Sequence, residues 1–354
     1  MVLGVVSGYH GKGMIQYKWY KDHSMIEDGA SGSLLLVNQP GVYHCEVAYG
    51  TLKDCSRNVH VVNVSQESMY KCAVPDVNIA DLNIDRSAPL GTGSFGTVYK
   101  GRWLGSTVAV KAIPLAKRSR ENTIKMIEKE VMISSKLRHP NIMQFLALSK
   151  EPNAFYLVYE YIDGCNMEEL IFDDETRRTM NVTSSKKIKI MTEVAQAIAY
   201  MHGLSPMVIH QDIKPSNVMI NRSSLVAKVC DFGISRVRSF LAATTTVIGN
   251  AGGSPSYMAP ECLLGPGKST AASDVWSLGI TFLELLSERD AWGIDGSMTP
   301  IEDIKHSMME KRSPIKPTDA PGLSKELRLM LERCLSFQAV DRPRAIEVLH
   351  TLKA

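Results

Sequence analysis

The architecture of this chain follows from two segments, His210-Gln-Asp-Ile-Lys-Pro-Ser-Asn217 and Asp231-Phe-Gly233. The second segment alone could form a simple turn. At this spacing from the first block it favours a catalytic site instead. Together the two segments supply carboxylates, an ammonium group and an amide, which are groups that position a reactant and offset its charge.

A glycine-rich segment lies upstream of these blocks, at Leu90-Gly-Thr-Gly-Ser-Phe-Gly-Thr-Val98. Because glycine has no side chain, a hairpin built from it can approach a ligand closely and direct its N–H groups at phosphate oxygens. An isolated match of this kind indicates no more than a glycine-rich turn between two strands. Its interpretation therefore depends on the segments that follow it.

The next segment, Val108-Ala-Val-Lys-Ala-Ile113, is typical of a strand. Side chains alternate along a strand, so Ala109 and Lys111 share one face. The small side chain of Ala109 leaves room for a flat ring, while Lys111 can reach toward phosphates.

In this order the motifs resemble those of the protein kinase family, over about three quarters of the chain. The resemblance implies an α+β fold over residues 78–354, with a β-rich N-lobe and a helical C-lobe. It also implies that the chain binds ATP and Mg²⁺. Oxygen ligands together with substrate phosphates suit the small octahedral shell of magnesium.

The resemblance assigns a role to each polar group of the two decisive blocks. Asp212 accepts or orients the proton of the substrate hydroxyl, and Lys214 steadies the γ-phosphate. The implied magnesium ligands are Asn217 and Asp231.

A helix predicted over residues 123–136 is expected to supply the partner of Lys111. The resemblance implies that Glu130 pairs with Lys111 and holds its ammonium group against the phosphates. Glu128 on the same helix is the alternative, although its spacing to His139 fits less well.

The implied nucleotide site runs from the glycine-rich segment to the hinge between the lobes. Tyr159 takes the gatekeeper position, the backbone at Glu160 and Ile162 bonds the adenine, and Met219 forms its floor. The implied ATP-binding residues are Leu90, Gly91, Thr92, Gly93, Ser94, Phe95, Gly96, Thr97, Val98, Ala109, Lys111, Tyr159, Glu160, Ile162 and Met219.

Two downstream segments resemble structural parts of the large lobe. Gly253-Ser-Pro-Ser-Tyr-Met-Ala-Pro-Glu261 matches the end of an activation segment, and Ser273-Asp-Val-Trp-Ser-Leu-Gly279 matches a buried helix. Arg342 is expected to pair with Glu261. These matches indicate a whole large lobe.

Specificity for serine and threonine is indicated by Lys214 and by Ser254. The run Gly96-Thr-Val-Tyr-Lys-Gly-Arg-Trp103 resembles the tyrosine-kinase-like group, whose members mostly act on these residues. The expected function is transfer of the γ-phosphoryl group of ATP to Ser or Thr hydroxyls of protein substrates. A pseudokinase scaffold that binds ATP and partners without efficient transfer is the alternative.

Two residues depart from the family pattern. Ser134 stands four residues after Glu130, where the family has an apolar residue of a stacked spine, and a hydroxyl there is expected to weaken helix docking. Gln211 replaces the Arg that holds an activation-segment phosphate, and it cannot form that ion pair. A second interpretation of Gln211, as a residue that only holds the loop through its backbone, stays open. The other spine members would be Phe145, Phe232 and His210.

Residues 1–64 are predicted to be all-β, and residues 65–77 to be a linker. Trp19 and the run Gly41-Val-Tyr-His-Cys45 resemble an immunoglobulin-like domain, which places a buried Trp against a Cys and a Tyr two residues before that Cys. The resemblance implies a small sandwich that binds a protein partner. Any other small β-sandwich is the alternative.

The first segment also departs from its family. Gly4 stands about where the earlier Cys would fall, so Cys45 is expected to be a free, buried thiol. The first strand lacks a match, so we expect either a truncated domain or missing upstream sequence.

The composition agrees with an ordinary globular protein, since 44% of the 354 residues are hydrophobic and 22% are charged. The net charge of +3 and the short basic clusters indicate solvated helix faces rather than a nucleic-acid partner. We expect no membrane span and no secretory signal. Seven scattered cysteines without a C-x-x-C pair favour reduced thiols and a cytoplasmic location.

Overall fold

A computed structural model divides the chain into two units, Met1–Ala73 and Val74–Ala354. The residues it describes are 2–4, 15–26, 34–36, 39, 41–49, 51–56, 59–61, 74–93, 96–115, 120–231, 255–265, 268–293, 301–314 and 323–353.

The first unit consists of short antiparallel strands, in agreement with its alternating pattern and turn signals. The strands are β1 (Val2–Gly4), β2 (Gln16–Lys21), β3 (Ser24–Met25), β4 (Leu34–Leu36), β5 (Gly41–Tyr49), β6 (Leu52–Cys55) and β7 (Val59–Val61). Strands β1 and β4 pair with each other, while the larger sheet has the order β3-β2-β5-β6, with β7 also on β5.

The core of the first unit contains the residues on which the resemblance to an immunoglobulin-like domain rests. Trp19 on β2 is paired in register with Cys45 on β5. Both are buried in one cluster with Tyr43 and Leu35, and the Tyr43 hydroxyl donates to the carbonyl oxygen of Gln39 at 2.9 Å. The predicted burial of Cys45 is thus confirmed, and this burial raises the pKa of its thiol. Its free state stays a prediction.

The second unit begins with a five-stranded antiparallel sheet and one helix. The elements are β8 (Asn83–Gly93), β9 (Gly96–Trp103), β10 (Ser106–Pro114), α1 (Arg120–Ser134), β11 (Phe145–Glu151) and β12 (Ala154–Glu160). The strand order is β11-β12-β10-β9-β8. Ile127 and Val131 of α1 pack with Phe145 and Leu157 of the sheet, which explains why the helical pattern is apolar on one face.

The linker predicted over residues 65–77 is wrong at its C-terminal end. Asp76 forms a parallel bridge with Leu148 of β11. The N–H of Leu148 donates to the carbonyl oxygen of Pro75, and the N–H of Val77 donates to that of Leu148, each at 2.9 Å. Residues 74–77 therefore extend the sheet of the second unit.

The remainder of the second unit is mainly helical. Its elements are β13 (Gly164–Asn166), α2 (Met167–Phe172), α3 (Asp174–Met180), α4 (Ser184–His202), β14 (Val218–Asn221), β15 (Ala227–Val229), α5 (Pro260–Leu263), α6 (Ala271–Ser287), α7 (Ile301–Met309), α8 (Lys325–Cys334) and α9 (Ala345–Lys353). Met191, Val194, Ala195 and Ile198 of α4 recur at the spacing i, i+3, i+4, i+7, which predicts one apolar helix face, and all four are completely buried. The β-rich and helical parts agree with the predicted two-lobed architecture.

Helix α6 is the buried axis of the helical part. It begins with a capping box, in which Thr270 and Ser273 satisfy each other's backbone N–H groups. A Cβ atom at Gly279 would lie 2.9 Å from Cβ of Cys334, so glycine permits the close contact with α8. Within the described ranges, no helix is both long and apolar enough to cross a membrane.

Candidate active site

The glycine-rich segment forms the hairpin between β8 and β9. Gly96 has φ +153°, and a Cβ atom there would fall 2.0 Å from the carbonyl oxygen of Ala112. This contact with β10 requires glycine. The strand residues Leu90, Gly91, Thr92, Gly93, Thr97 and Val98 lie where predicted, on the two arms of the hairpin. Ser94 and Phe95 lie outside the described residues.

Lys111 lies in β10, between β9 and β12, and its side chain is buried. Its ammonium group forms an ion pair with the carboxylate of Asp231. Burial alone would lower the pKa of Lys111, but the carboxylates of Asp231 and Glu130 outweigh it and raise that pKa. Lys111 therefore remains a cation although its own side chain is buried.

The predicted ion pair between Lys111 and Glu130 is absent from the described residues, where Lys111 binds Asp231 instead. Oε1 of Glu130 accepts a hydrogen bond from the Tyr159 hydroxyl at 2.9 Å, and its Oε2 is buried with no hydrogen-bond partner in the described part of the chain. Burial raises the pKa of Glu130 to about 7, against the opposing effect of Lys111. The charge of Lys111 thus acts on the Glu130 carboxylate, although the two side chains form no direct ion pair.

The loop after α4 brings three of the predicted catalytic and metal-binding residues together. Nδ2 of Asn217 donates to Oδ2 of Asp212 at 2.9 Å and to the Asp212 carbonyl oxygen at 2.8 Å. The Lys214 ammonium lies 3.2 Å from the same carboxylate. Asp212 is therefore held in one orientation between an amide and a cation, as a general base requires.

The Asp274 carboxylate of α6 binds the backbone of this loop. It accepts from the N–H of His210 at 2.8 Å and from the N–H of Gln211 at 2.9 Å. These bonds stabilise Gln211 at φ +72°, a conformation that few non-glycine residues adopt.

The residues at the proposed metal site fit magnesium. The N–H of Cys230 donates to the Asn217 carbonyl oxygen at 2.9 Å, so Asp231 directly follows a backbone contact with Asn217. Partial burial raises the pKa of Asp231, but Lys111 outweighs this effect and the pKa is lowered, so the carboxylate is ionised. Oxygen donors of this kind suit a small hard cation that takes further ligands from water and phosphate.

The hinge residues lie at the end of β12 and beyond it. The N–H of Glu160 donates to the Gln144 carbonyl oxygen at 3.0 Å. The predicted adenine contact at Glu160 would therefore use the Glu160 carbonyl oxygen. The Glu160 carboxylate binds the Lys228 ammonium at 2.6 and 2.8 Å. Ala109 is paired in register with Tyr159, and Met219 lies on β14 opposite Lys228.

Two further carboxylates stabilise the large lobe. The predicted pair of Arg342 and Glu261 is confirmed as a double hydrogen bond of 2.7 and 2.8 Å. Glu284 of α6 accepts from the Tyr257 hydroxyl at 2.7 Å and from the N–H of Ala291 at 3.1 Å.

The sequence interpretation missed two contacts, between Tyr159 and Glu130 and between Glu160 and Lys228. No local pattern signals either contact, because the partners lie far apart in sequence. Phe232, Gly233 and Ser254 lie outside the described ranges. The same holds for the sequence candidates for an activation-segment phosphate, Ser239, Thr244, Thr245 and Thr246, and for Arg236, a basic residue that could bind such a phosphate in place of Gln211.

Comparison with known proteins adds an independent finding. A family model described as "Protein kinase domain" matches residues 84–352. The range includes the glycine-rich hairpin, Lys111, α1 and the catalytic loop.

Individual relatives are similar over the same part of the chain. "Probable serine/threonine-protein kinase kinY" of Dictyostelium discoideum is 30% identical over 295 residues, which cover 78% of this chain and 48% of the relative. "Serine/threonine-protein kinase CTR1" of Arabidopsis thaliana is 29% identical over 279 residues, covering 78% and 32%. "Dual specificity protein kinase shkC" of Dictyostelium discoideum is 30% identical over 282 residues, covering 78% and 52%. The matches thus span about half or less of each relative's length.

Proposed function

The chain belongs to the protein kinase domain family, and from this membership we propose that it transfers the γ-phosphoryl group of ATP to serine or threonine hydroxyls of protein substrates. One observation carries the proposal. The Asp212 carboxylate is oriented by Asn217 and Lys214, and the ion pair of Lys111 and Asp231 lies in the same site.

Each of these groups has a task in phosphoryl transfer. Asp212 accepts the proton of the attacking hydroxyl, and Asn217 keeps that carboxylate from rotating. Lys214 and Lys111 are cations that offset charge on the transferred group. When bound at Asn217 and Asp231, Mg²⁺ supplies further neutralisation of the phosphate oxygens.

The first test is the variant Asp212→Asn. We expect most transfer to be lost while the fold persists, because the change removes one proton acceptor, an effect typically of about 2–4 kcal/mol in the barrier. Lys111→Met and Asp231→Ala should behave alike. Asp303→Asn, at an exposed position on α7, is the matched control. Near-normal turnover of Asp212→Asn in a radiolabelled ATP assay would refute the assignment of Asp212.

The choice of Ser and Thr over Tyr rests on Lys214 and on relatives described as serine/threonine-protein kinases. Another relative is described as a dual specificity kinase, so tyrosine is the relevant alternative acceptor. Phosphoamino-acid analysis of a peptide library should give phosphoserine and phosphothreonine. Dominant phosphotyrosine would overturn this part of the proposal.

A pseudokinase scaffold is the second candidate, favoured by the absence of the Lys111–Glu130 pair from the described residues. The two functions differ in one experiment. A kinase gains thermal stability from Mg-ATP and transfers phosphate, whereas a scaffold of this kind gains stability without transfer.

For the first unit we propose an immunoglobulin-like domain over residues 1–64 that binds a protein partner. The support is the buried contact of Trp19 with Cys45, together with the Tyr43 hydroxyl bond to the Gln39 carbonyl oxygen, which resembles a tyrosine corner. A cytoplasmic location is proposed with it, since the kinase reaction consumes ATP. Fractionation of cells that express the tagged chain tests the location.

A further inference from the structure

The hydrogen bond between Tyr159 and Glu130 is a buried contact between two side chains of the candidate active site. Glu130 is 1% exposed and Tyr159 is 6% exposed. At 2.9 Å, the phenol hydroxyl donates to Oε1 of the carboxylate. A hydrogen bond between a neutral donor and a buried charged acceptor contributes more than an average one.

Tyr159 is held by the sheet, independently of α1. It lies in β12 with Ala109 of β10 on one side and Phe145 of β11 on the other. Its ring packs edge-on against Phe145, with the centroids 5.4 Å apart and the planes at 74°. The Tyr159 hydroxyl is therefore held in position by the sheet, and a residue of α1 can form a hydrogen bond to it.

Glu130 is the residue of α1 that accepts the hydrogen bond from Tyr159. Only one of its two carboxylate oxygens is bonded, since Oε2 is buried and has no hydrogen-bond partner within the described residues. Lys111 is the cation that acts on this carboxylate electrostatically. With Oε1 held by Tyr159, the carboxylate cannot rotate freely, and Oε2 stays available for Lys111.

Ser134 explains why α1 needs such an attachment. It lies one turn after Glu130 on the same helix, is buried, and its hydroxyl has no hydrogen-bond partner in the described part of the chain. A small polar side chain at a buried position gives up apolar contact and leaves a polar group unpaired. Helix α1 is therefore weakly docked at this turn.

We propose that Tyr159 is a positioning residue, which tethers α1 to the sheet and orients Glu130 toward Lys111 in place of the apolar contact that Ser134 cannot make. This inference rests on the proposed kinase function. It adds a task for Tyr159 beyond its place beside the adenine.

The experiment compares Tyr159→Phe, Glu130→Leu, which has no acceptor for the Tyr159 hydroxyl, and the double variant in the full chain. The matched control is Tyr156→Phe, which removes a phenol hydroxyl from the same strand, where it accepts from Arg86 at 3.3 Å. For each variant, kcat and KM for ATP are measured below the unfolding temperature. Affinity for the fluorescent nucleotide mant-ADP and urea unfolding are measured in parallel.

We expect Tyr159→Phe to lower kcat about tenfold and to change mant-ADP affinity less than about twofold, because the phosphates lose an oriented Lys111 while the adenine contacts remain. In the Glu130→Leu background the same change should have less than about a twofold effect, since the acceptor of the Tyr159 hydroxyl is already gone. Adding Ser134→Leu to Tyr159→Phe should restore much of the lost kcat. Tyr156→Phe should match the wild type.

The proposal is overturned if Tyr159→Phe keeps normal kcat, or if it lowers kcat equally with and without Glu130. Failure of the kinase function itself looks different, because the wild type would then transfer no more phosphate than Asp212→Asn. In that case the unfolding data still test the tether, and additive effects of Tyr159→Phe and Glu130→Leu on stability would refute it.

Discussion

The backbone of Gln211 has a role in the loop that does not depend on its side chain. Its N–H is bound by the Asp274 carboxylate at 2.9 Å, and φ is +72°. These two features orient the following residue, Asp212, and neither requires an arginine. This observation supports the interpretation that Gln211 holds the loop through its backbone.

At the same residue we predict that activity depends little on phosphate in the activation segment. Gln211 is neutral and cannot form the ion pair by which an arginine reads a phosphate. Changing Thr244, Thr245 and Thr246 together to Ala, or dephosphorylating the purified chain, should leave kcat within about tenfold of the wild type. A larger loss in either assay would show that another cation reads the phosphate.

Glu284 is a buried carboxylate whose ionisation affects stability. Burial raises its pKa to about 7, although the hydroxyl of Tyr257 and the N–H of Ala291 favour the charged form. An unfolded chain holds this proton far less tightly, with a pKa of 4.5. The stabilisation from the bound proton is therefore complete below pH 4.5 and is lost as the pH rises through about 7.

We predict that Glu284→Gln removes this pH-dependent loss of stability. Between pH 4.5 and 7 the wild type should lose up to about 1.4 kcal/mol of unfolding free energy per pH unit more than the variant does. Urea unfolding across this range measures the difference. Glu302→Gln, at an exposed position of α7, is the control and should follow the wild type. Parallel curves for Glu284→Gln and the wild type would contradict the raised pKa.

At the scale of one element, α1 combines good and poor docking positions. Ile127 and Val131 pack into the sheet cluster. Ser134, at the C-terminal end, is buried with an unpaired hydroxyl within the described residues. The helix is thus anchored by its middle and packs less well at its C-terminal end.

We predict that Ser134→Leu raises basal activity, because an apolar side chain at this turn fills the contact and favours the docked helix. The initial rate with a peptide substrate measures the gain. Ser135→Leu is the matched control, since that hydroxyl bonds the Met132 carbonyl oxygen at 3.2 Å and the side chain is partly exposed. Unchanged or lower activity of a stably folded Ser134→Leu would count against the prediction.

At the scale of the whole molecule, the boundary between the two units has a measurable consequence. Residues 74–77 contribute two backbone hydrogen bonds to Leu148. We predict that a fragment of residues 78–354 is less stable than one of residues 74–354 by roughly 2 kcal/mol, about 1 kcal/mol for each bond. Thermal or urea unfolding of the two fragments tests this, and equal stability would restore the linker boundary at residue 77.

Much of the fold was predictable, because the signals are local. The burial of Met191 and Ile198 follows from their spacing along one helix face. The strands around Trp19 and Cys45 follow from alternation and turns, and the catalytic loop follows from the spacing of Asp212 and Asn217 within one short segment.

The partners of the charged groups were settled only by the tertiary structure. The resemblance to the kinase family implied that Lys111 would pair with Glu130, whereas Lys111 binds Asp231 and Glu130 binds Tyr159. These contacts join strands and a helix that are remote in sequence. Which of them forms depends on burial and on competing charges, and these exist only after the sheet and α1 have packed together.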